Sequence, residues 1–421
     1  MQLPLRRAFF TAVTHAHIGP IPLPPSTTSL APWAMVYQAT LIRSSAQRAS
    51  FNPVAPPTVS HLLVPAHLVD PRPRPDRDIG IKPSAIGGAA RATSGDGLLL
   101  LDFMDGRATG PVGGGKGAAA RARLLASIDP NITRVVCNPL SGEMFRLPEM
   151  DGAKKAVSCQ PPGLLTRSER ADGPPERYAV AEISEEHGGE QRTFTMRRFL
   201  SQTGEWDTLV GLPSPLPLAR RLNIDEVLSF GGRLWWVDLS WGAVSADPFS
   251  DQPDLRFVEL PSGSVTKSMD GQRVQGRYRR LGISEGKLRY MEVSRKDPFF
   301  LSSFSLDEGG SSWTREHRVA LNRCWKNHGK SSEEDTPQIS IIDPFNASAI
   351  HITIGNGRIA LSVDLDKEKV FWGGDGAGPA LLFSGFLPCV LPPGLEATRI
   401  PSAVLLAEMK GLVELSLLSL S

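Results

Sequence analysis

Short stretches in which apolar and polar residues alternate recur along the middle of the chain. Three of them open with glycine, a basic residue and Leu or Ile, and continue as period-two strands: residues 232–239, 286–293 and 357–364. The glycine supplies the positive φ of a tight hairpin, and the alternation buries one face of the strand that follows. The pattern therefore predicts antiparallel strands that restart after short turns.

Four turns share a second pattern, in which Asn or Asp is followed by proline and then by an apolar residue. The Asx side chain bonds nearby backbone groups and proline sets φ, so each pattern predicts a turn. The last three Asx residues lie 50 and 46 positions apart, and the first lies about two such intervals earlier. These turns are Asn138-Pro139-Leu140, Asp247-Pro248-Phe249, Asp297-Pro298-Phe299 and Asp343-Pro344-Phe345.

The length of this repeat indicates a fold class. Units of roughly 45–55 residues that each hold several short strands are typical of β-propeller blades. Residues 90–395 leave room for about six such units. We therefore predict an all-β, β-propeller-like fold with about six blades of antiparallel strands. An irregular pair of β-sandwiches with similar turns is the alternative.

The two ends of the chain differ in composition from the middle. No acidic residue precedes Asp70 and no lysine precedes Lys82, and the prolines at 20–25 would stop a helix. We predict a disordered Pro/Ser-rich leader over residues 1–54, a propeller-like domain over 55–403 and an apolar tail over 404–421. A basic, acid-free leader is typical of organelle transit peptides, so both a transit peptide and a leader without an address stay open.

Charge and hydropathy exclude two classes of function. The 46 basic and 44 acidic residues leave a net charge of +2, whereas nucleic-acid binders carry a clustered cationic surface. No uncharged, proline-free apolar run reaches the roughly 18 residues of a membrane span. We expect no nucleic-acid partner and no membrane span. The cytoplasm or nucleus is the favoured location, with organelle import left open by the leader.

Cysteines and histidines offer little metal or redox chemistry. The four cysteines are widely spaced, which is typical of free buried thiols rather than a disulfide framework. Cys324 and His328 have the spacing of half a zinc site, but no second pair accompanies them. We predict no metal site. The cysteines are Cys137, Cys159, Cys324 and Cys389.

A Gly-rich segment at residues 110–117 resembles a phosphate-binding loop. Its sequence Gly-Pro-Val-Gly-Gly-Gly-Lys-Gly places Lys116 as in a P-loop, but Gly117 replaces the hydroxyl residue that binds Mg²⁺. We interpret it as a low-complexity connection between strands, with a nucleotide site as the alternative. The chain has no other catalytic motif that we recognise, so we predict no catalytic residues and no cofactor.

Three tryptophans crowd one predicted hairpin: Trp235, Trp236 and Trp241. Successive residues of a strand face opposite sides, so Trp235 and Trp236 diverge, and one of them belongs to the core. An exposed indole would be a strong contact residue for a partner protein. These three residues are therefore our candidate protein-contact surface, and packing between blades is the alternative.

Several of these segments resemble a known family. Residues 132–148 resemble a strand pair of plant F-box-associated propellers. Residues 230–261, with 213–221, 386–393 and 399–403, resemble the plant domain-of-unknown-function 1618 family, which is greatly expanded in grasses. The resemblance covers about residues 55–403. It implies a plant protein, but it brings no activity and no catalytic residues.

These observations favour a non-enzymatic protein-recognition or scaffold module with an unidentified protein partner. A propeller presents rigid loops, and loops carry binding residues. One alternative is a small-ligand or nucleotide-binding enzyme that uses the Gly-rich loop or the propeller channel. The other is a ubiquitin-ligase substrate receptor without an F-box, because residues 1–69 are too Pro-rich for that helical segment.

Overall fold

The computed structural model describes thirteen stretches of the chain. Outside them lie residues 1–30, Cys159, the Gly-rich segment 110–117, His328 and the tail 404–421. The described stretches are 31–38, 41–43, 48–65, 86–108, 128–150, 160–170, 173–187, 192–217, 220–266, 275–324, 336–354, 359–375 and 385–402.

The chain folds as a six-bladed β-propeller with almost no helix, as the alternation predicted. Five short strands come first: β1 (Trp33–Tyr37), β2 (Leu41–Arg43), β3 (Ser50–Phe51), β4 (Val59–Ser60) and β5 (Leu62–Pro65). Strands β2, β5 and β3 form a small sheet of their own.

Five blades are four-stranded antiparallel sheets made from consecutive strands. Blade one is β6 (Ile86–Thr93), β7 (Leu99–Ala108), β8 (Ile128–Cys137) and β9 (Met144–Arg146). Blade two is β10 (Gly163–Arg167), β11 (Arg177–His187), β12 (Arg192–Leu200) and β13 (Glu205–Pro213). Blade three is β14 (Glu226–Phe230), β15 (Arg233–Asp238), β16 (Gly242–Ala246) and β17 (Arg256–Glu259).

Blades four and five repeat this order. Blade four is β18 (Arg279–Ser284), β19 (Lys287–Val293), β20 (Phe300–Leu306) and β21 (Trp313–Ala320). Blade five is β22 (Gln338–Ile342), β23 (Ala349–Ile354), β24 (Ile359–Asp364) and β25 (Lys369–Asp375). Two single-turn helices flank blade four, α1 (Gln275–Tyr278) and α2 (Leu321–Cys324), and a 3-10 turn spans Leu395–Ala397.

The sixth blade joins the two ends of the domain. Strand β26 (Phe386–Val390) pairs antiparallel with β1, from Trp33 opposite Val390 to Tyr37 opposite Phe386. Strand β4 adds to β1 in parallel at Met35 and Val36. Because β26 is the inner strand and β1 its neighbour, the ring closes only when distant parts of the chain meet.

Strand β1 begins well inside the range 1–54 that the sequence assigned to the leader. Its partner β26 lies near the other end of the predicted domain. We therefore propose that the propeller begins near Trp33 rather than at residue 55. The rest of the division, with a leader before the propeller and a tail after residue 403, stays a prediction.

The Asx-Pro turns do not mark one fixed place in each blade. The turns at Asn138 and Asp247 join the third and fourth strands of blades one and three. The turn at Asp297 joins the second and third strands of blade four, and that at Asp343 the first and second strands of blade five. Any tight antiparallel turn can use this local geometry, so the spacing of the motif is not the blade period.

The hydrophobic core lies between neighbouring blades. One cluster joins blades two and three, with Phe194, Trp236 and Val244 fully or almost fully buried. Another joins blades three and four, with Trp235 and Tyr290. Strand β15 therefore contributes one face to the cluster shared with blade two and the other face to the cluster shared with blade four. It is buried on both faces, whereas the alternation predicted one buried face.

Candidate functional site

The three candidate tryptophans are buried in the core around blade three. Trp236 packs toward blade two and Trp235 toward blade four, so the two indoles do face opposite sides of β15. Trp235 donates from Nε1 to the carbonyl of Phe230 at 3.1 Å, and Trp241 packs on Phe257 with ring centroids 4.9 Å apart. Their burial leaves no exposed indole for a partner, so these residues do not form a contact surface in this structure.

Asp238 and Gly242, which follow Trp236, stabilise the hairpin of blade three. The buried carboxylate of Asp238 accepts hydrogen bonds from the backbone N–H groups of Ser240 at 2.9 Å and Asn223 at 3.1 Å. A Cβ at Gly242 would lie 2.4 Å from the carbonyl oxygen of Val258, so only glycine fits there. These contacts hold the hairpin of blade three together and leave no reactive group open.

The inner strands meet at the propeller axis, where a charged pair links three blades. The Arg280 guanidinium on β18 lies 3.4 Å from the Glu226 carboxylate on β14 and donates at 2.9 Å to the Ser340 carbonyl on β22. Burial raises the pKa of Glu226, and Arg280 opposes that shift. Because both groups are buried, removing either one would leave a buried charge without its partner.

A second buried charge cluster lies between blades one and two. Arg134 donates to Glu182 at 2.9 Å, and its Nε lies 3.6 Å from Asp102. Burial raises the pKa of both carboxyl groups, and Arg134 opposes the shift in each case. Removing one member of such a cluster leaves a buried charge unpaired, so we assign the cluster to blade packing.

One contact chain contains the residue types of a hydrolase triad but in the wrong order. The Ser348 hydroxyl donates to Asp366, whose other oxygen lies 2.9 Å from Nε2 of His317. In a nucleophilic triad the histidine contacts the serine hydroxyl and the carboxylate lies behind it. Here the carboxylate stands between them, so His317 cannot take the Ser348 proton.

The turn that follows β22 in blade five carries an exposed aromatic residue. Phe345, in this turn, is 52% exposed. Asp343 Oδ1 accepts the N–H groups of Phe345 at 2.8 Å and Asn346 at 3.1 Å. Glu285 in blade four also accepts the N–H of Ala347 at 3.1 Å. Hydrogen bonds therefore hold this turn, which we call the 343–346 turn, from within its own blade and from blade four.

The turn at Asp247 has the same Asp-Pro-Phe sequence but different surroundings. Asp247 Oδ1 accepts the N–H of Phe249 at 2.9 Å, as Asp343 does for Phe345. Arg167 donates to Asp247 Oδ2 at 2.7 Å, and its guanidinium lies 4.6 Å from the centroid of the Phe249 ring. The Asp-Pro-Phe motif predicts both turns, but it does not predict that Phe345 is exposed, because exposure depends on residues outside the motif.

Metal and thiol chemistry is limited in the described part of the chain. No group of three or more His, Cys, Asp or Glu side chains there could hold a metal ion. Cys137 and Cys389 are free and buried, and burial raises the pKa of both thiols, that of Cys389 to about 12. His328 and the Gly-rich segment 110–117 lie outside the described residues.

Within the stretches described, no helix has the length and apolar character that crossing a bilayer requires.

One protein-family model matches part of this chain. Residues 236–351, which run from blade three into blade five, match the model of a family described as "Protein of unknown function (DUF1618)". The match supports the DUF1618 family. The DUF1618 description gives no activity, and the buried Asp238 and Gly242 of this match are structural. No curated protein matches the chain.

Solved structures with some similarity include two bacterial lactonases and a peptidase. A putative 6-phosphogluconolactonase from Bacteroides uniformis is 10% identical, with 61% of this chain and 66% of that chain covered and a TM-score of 0.31. The periplasmic gluconolactonase PpgL of Pseudomonas aeruginosa is 10% identical over 86% and 99%, with a TM-score of 0.34. A prolyl endopeptidase is 14% identical over 82% of this chain and 49% of its own, with a TM-score of 0.30.

Proposed function

We propose that this chain is a non-enzymatic protein-recognition module and that the 343–346 turn is its contact point. The half-exposed phenyl ring of Phe345 is the observation that carries the proposal. Aromatic residues supply much of the binding energy at protein interfaces, because they bury a large area for few rotatable bonds. The proposal replaces the tryptophans of blade three, whose indoles are buried.

The hydrogen bonds around Phe345 favour binding by reducing the entropy lost on association. Asp343 holds the amides of the turn, and the Glu285 backbone N–H donates to the Pro344 carbonyl at 2.9 Å. On the other side the Leu365 N–H donates to the Ser348 carbonyl at 2.8 Å. A loop already held in its binding conformation loses little further freedom in a complex.

We propose a protein partner rather than a nucleic acid, since the net charge is only +2. The cytoplasm or nucleus is the proposed location. The plant origin implied by the family resemblance makes leaf extract the natural source of partners.

The test is affinity purification from leaf extract followed by mass spectrometry, with three forms of the full chain. Phe345→Ala removes the proposed anchor. Phe371→Ala is a matched control, because this phenylalanine of the same blade is 51% exposed on the outer strand β25. We expect a partner that is captured by the native chain and by Phe371→Ala and is lost from Phe345→Ala.

Folding must be equal in the three forms for this comparison to hold. Exposed substitutions usually change the free energy of unfolding by less than about 0.5 kcal/mol, which thermal unfolding can verify. Retention of every captured partner by Phe345→Ala would overturn the 343–346 turn as the contact point.

A further inference from the structure

We propose that the 343–346 turn binds an arginine side chain of its partner protein, between the Asp343 carboxylate and the Phe345 ring. This inference rests on the proposed function and adds the chemistry of the partner. Its basis is the second Asp-Pro-Phe turn of the same chain, where an arginine already occupies the corresponding place.

The turn at Asp247 shows how the motif accommodates a guanidinium group. Arg167, which lies on β10 of the neighbouring blade, donates to Asp247 and covers the Phe249 ring at 4.6 Å. Arg177 lies 5.5 Å from the same ring. A planar guanidinium can pair with a carboxylate and lie over an aromatic face at once, which the compact ammonium of lysine does less well.

The two turns share the backbone geometry that positions these groups. In both, the aspartate accepts the N–H of the phenylalanine two residues later, at 2.9 Å for Phe249 and 2.8 Å for Phe345. In both turns the aspartate and the phenylalanine are therefore two residues apart and joined by the same backbone hydrogen bond.

The two turns differ in two respects. Arg167 pairs with Asp247, whereas the Trp33 side chain hydrogen-bonds to the partly buried Asp343 carboxylate. In addition, no arginine or lysine of the described residues lies over the Phe345 ring.

The charges around Phe345 complement a cation. Glu285 and Asp366 both contact the residues that follow the turn, and both side chains are more than half exposed. Glu285 also lies 3.8 Å from Arg289, and Asp366 lies 2.9 Å from His317. The ammonium of Lys367 is paired with Asp364 at 2.8 Å. A carboxylate beside a half-exposed ring attracts a basic side chain more strongly than a neutral one.

A third Asx-Pro turn shows which substitutions the backbone tolerates. Asn138 uses its side-chain oxygen to accept the N–H of Leu140 at 3.1 Å and of Ser141 at 3.3 Å, without any carboxylate. Asp343→Asn should therefore keep the side-chain oxygen that holds the turn while it removes the charge. Phe345→Leu keeps an apolar side chain and removes the aromatic face.

The experiment uses a random peptide library displayed on phage and selected on the immobilised full chain. Each enriched peptide is then synthesised in two forms, with arginine and with citrulline, the neutral analogue of the same shape. Binding is measured by fluorescence anisotropy to the native chain, Asp343→Asn, Phe345→Leu, Phe345→Ala and the control Phe371→Ala.

We expect the enriched peptides to contain arginine. Citrulline should weaken their binding at least about tenfold, as should Asp343→Asn and Phe345→Leu, because each change removes part of a charge-assisted contact. Phe371→Ala should bind as the native chain does.

Two contrary results are distinguishable. Peptides that need Phe345 but bind equally well with citrulline, or to Phe345→Leu, would overturn the arginine site and leave the recognition function standing. Peptides that bind Phe345→Ala as well as the native chain, or no enrichment at all, would count against the proposed contact point itself.

Discussion

Blades three and six belong to the same ring but are assembled in different ways. Blade three is built from consecutive residues and packs against two clusters, one on each face, that contain Trp235 and Trp236. Blade six has two five-residue strands, β1 and β26, from opposite parts of the chain, and a two-residue addition from β4. The strands of blade three thus pair with near neighbours in sequence, whereas blade six forms only when distant parts of the chain meet.

The segment after β26 extends this closure onto blade one. Asn138 donates from Nδ2 to the carbonyls of Leu395 at 2.7 Å and Thr398 at 2.8 Å. Glu143 accepts the N–H of Ile400 at 3.0 Å. Closing so long a loop costs chain entropy, and these buried hydrogen bonds offset part of that cost.

The largest expected effect comes from removing the closing strand. Deletion of residues 385–421 removes β26 and leaves the inner edge of β1 and the flanks of two neighbouring blades uncovered. We expect a loss of more than about 5 kcal/mol, enough to abolish cooperative unfolding, because that is the scale of a domain's total stability. Calorimetry checks this.

The matched control is deletion of residues 403–421 alone, which retains every described strand. We expect this form to unfold cooperatively. A cooperative transition in the longer deletion would show that blade six is not needed to hold the ring.

Within blade three, we expect Trp236→Ala to have the next largest effect. The indole is fully buried between blades two and three, so its removal leaves a cavity. Large-to-small core substitutions of this kind lower the free energy of unfolding by about 3–5 kcal/mol. Urea unfolding measures it, with Phe371→Ala as an exposed control expected to change stability little. A loss below about 1 kcal/mol would contradict the packing described for blade three.

We expect the smallest effect from pH, which changes the free energy of unfolding through a histidine next to blade six. His351 on β23 lies buried beside Trp33 of blade six, with ring centroids 5.6 Å apart, and burial lowers its pKa from 6.5 to about 4. Between pH 4 and 6.5 the folded protein therefore keeps His351 neutral, whereas the unfolded chain protonates it. As the pH falls through this range, the free energy of unfolding decreases by up to about 3 kcal/mol.

Urea midpoints of the native chain and His351→Gln between pH 7 and 4 test this at the seam of blades five and six. Blade three holds no histidine, so this term belongs to the seam alone. We expect the native chain to lose more stability than the variant over this range. Parallel pH profiles would show that the imidazole is protonated in the folded protein or solvated more than its burial indicates.

Alternation and turn chemistry could be predicted from the sequence because both act over a few residues. Trp235 and Trp236 face opposite sides of β15 as predicted, and Asp247 and Asp343 accept the predicted backbone amides. The places of the Asx-Pro turns within the blades could not be predicted, since the same local geometry serves any tight antiparallel hairpin. Phe345 was missed as a candidate because exposure depends on residues far away in sequence.

By itself, the sequence determined that the chain forms antiparallel strands, that its hairpins turn at Gly and Asx-Pro, and that the resulting fold is all-β. Only the tertiary structure decided that β26 closes the ring on β1 and that Arg167 covers Phe249 while Phe345 stays exposed. The physical reason is the distance along the chain over which each interaction acts. Backbone dihedrals and side-chain alternation are set by near neighbours, whereas burial is set by which distant segments the closed ring brings together.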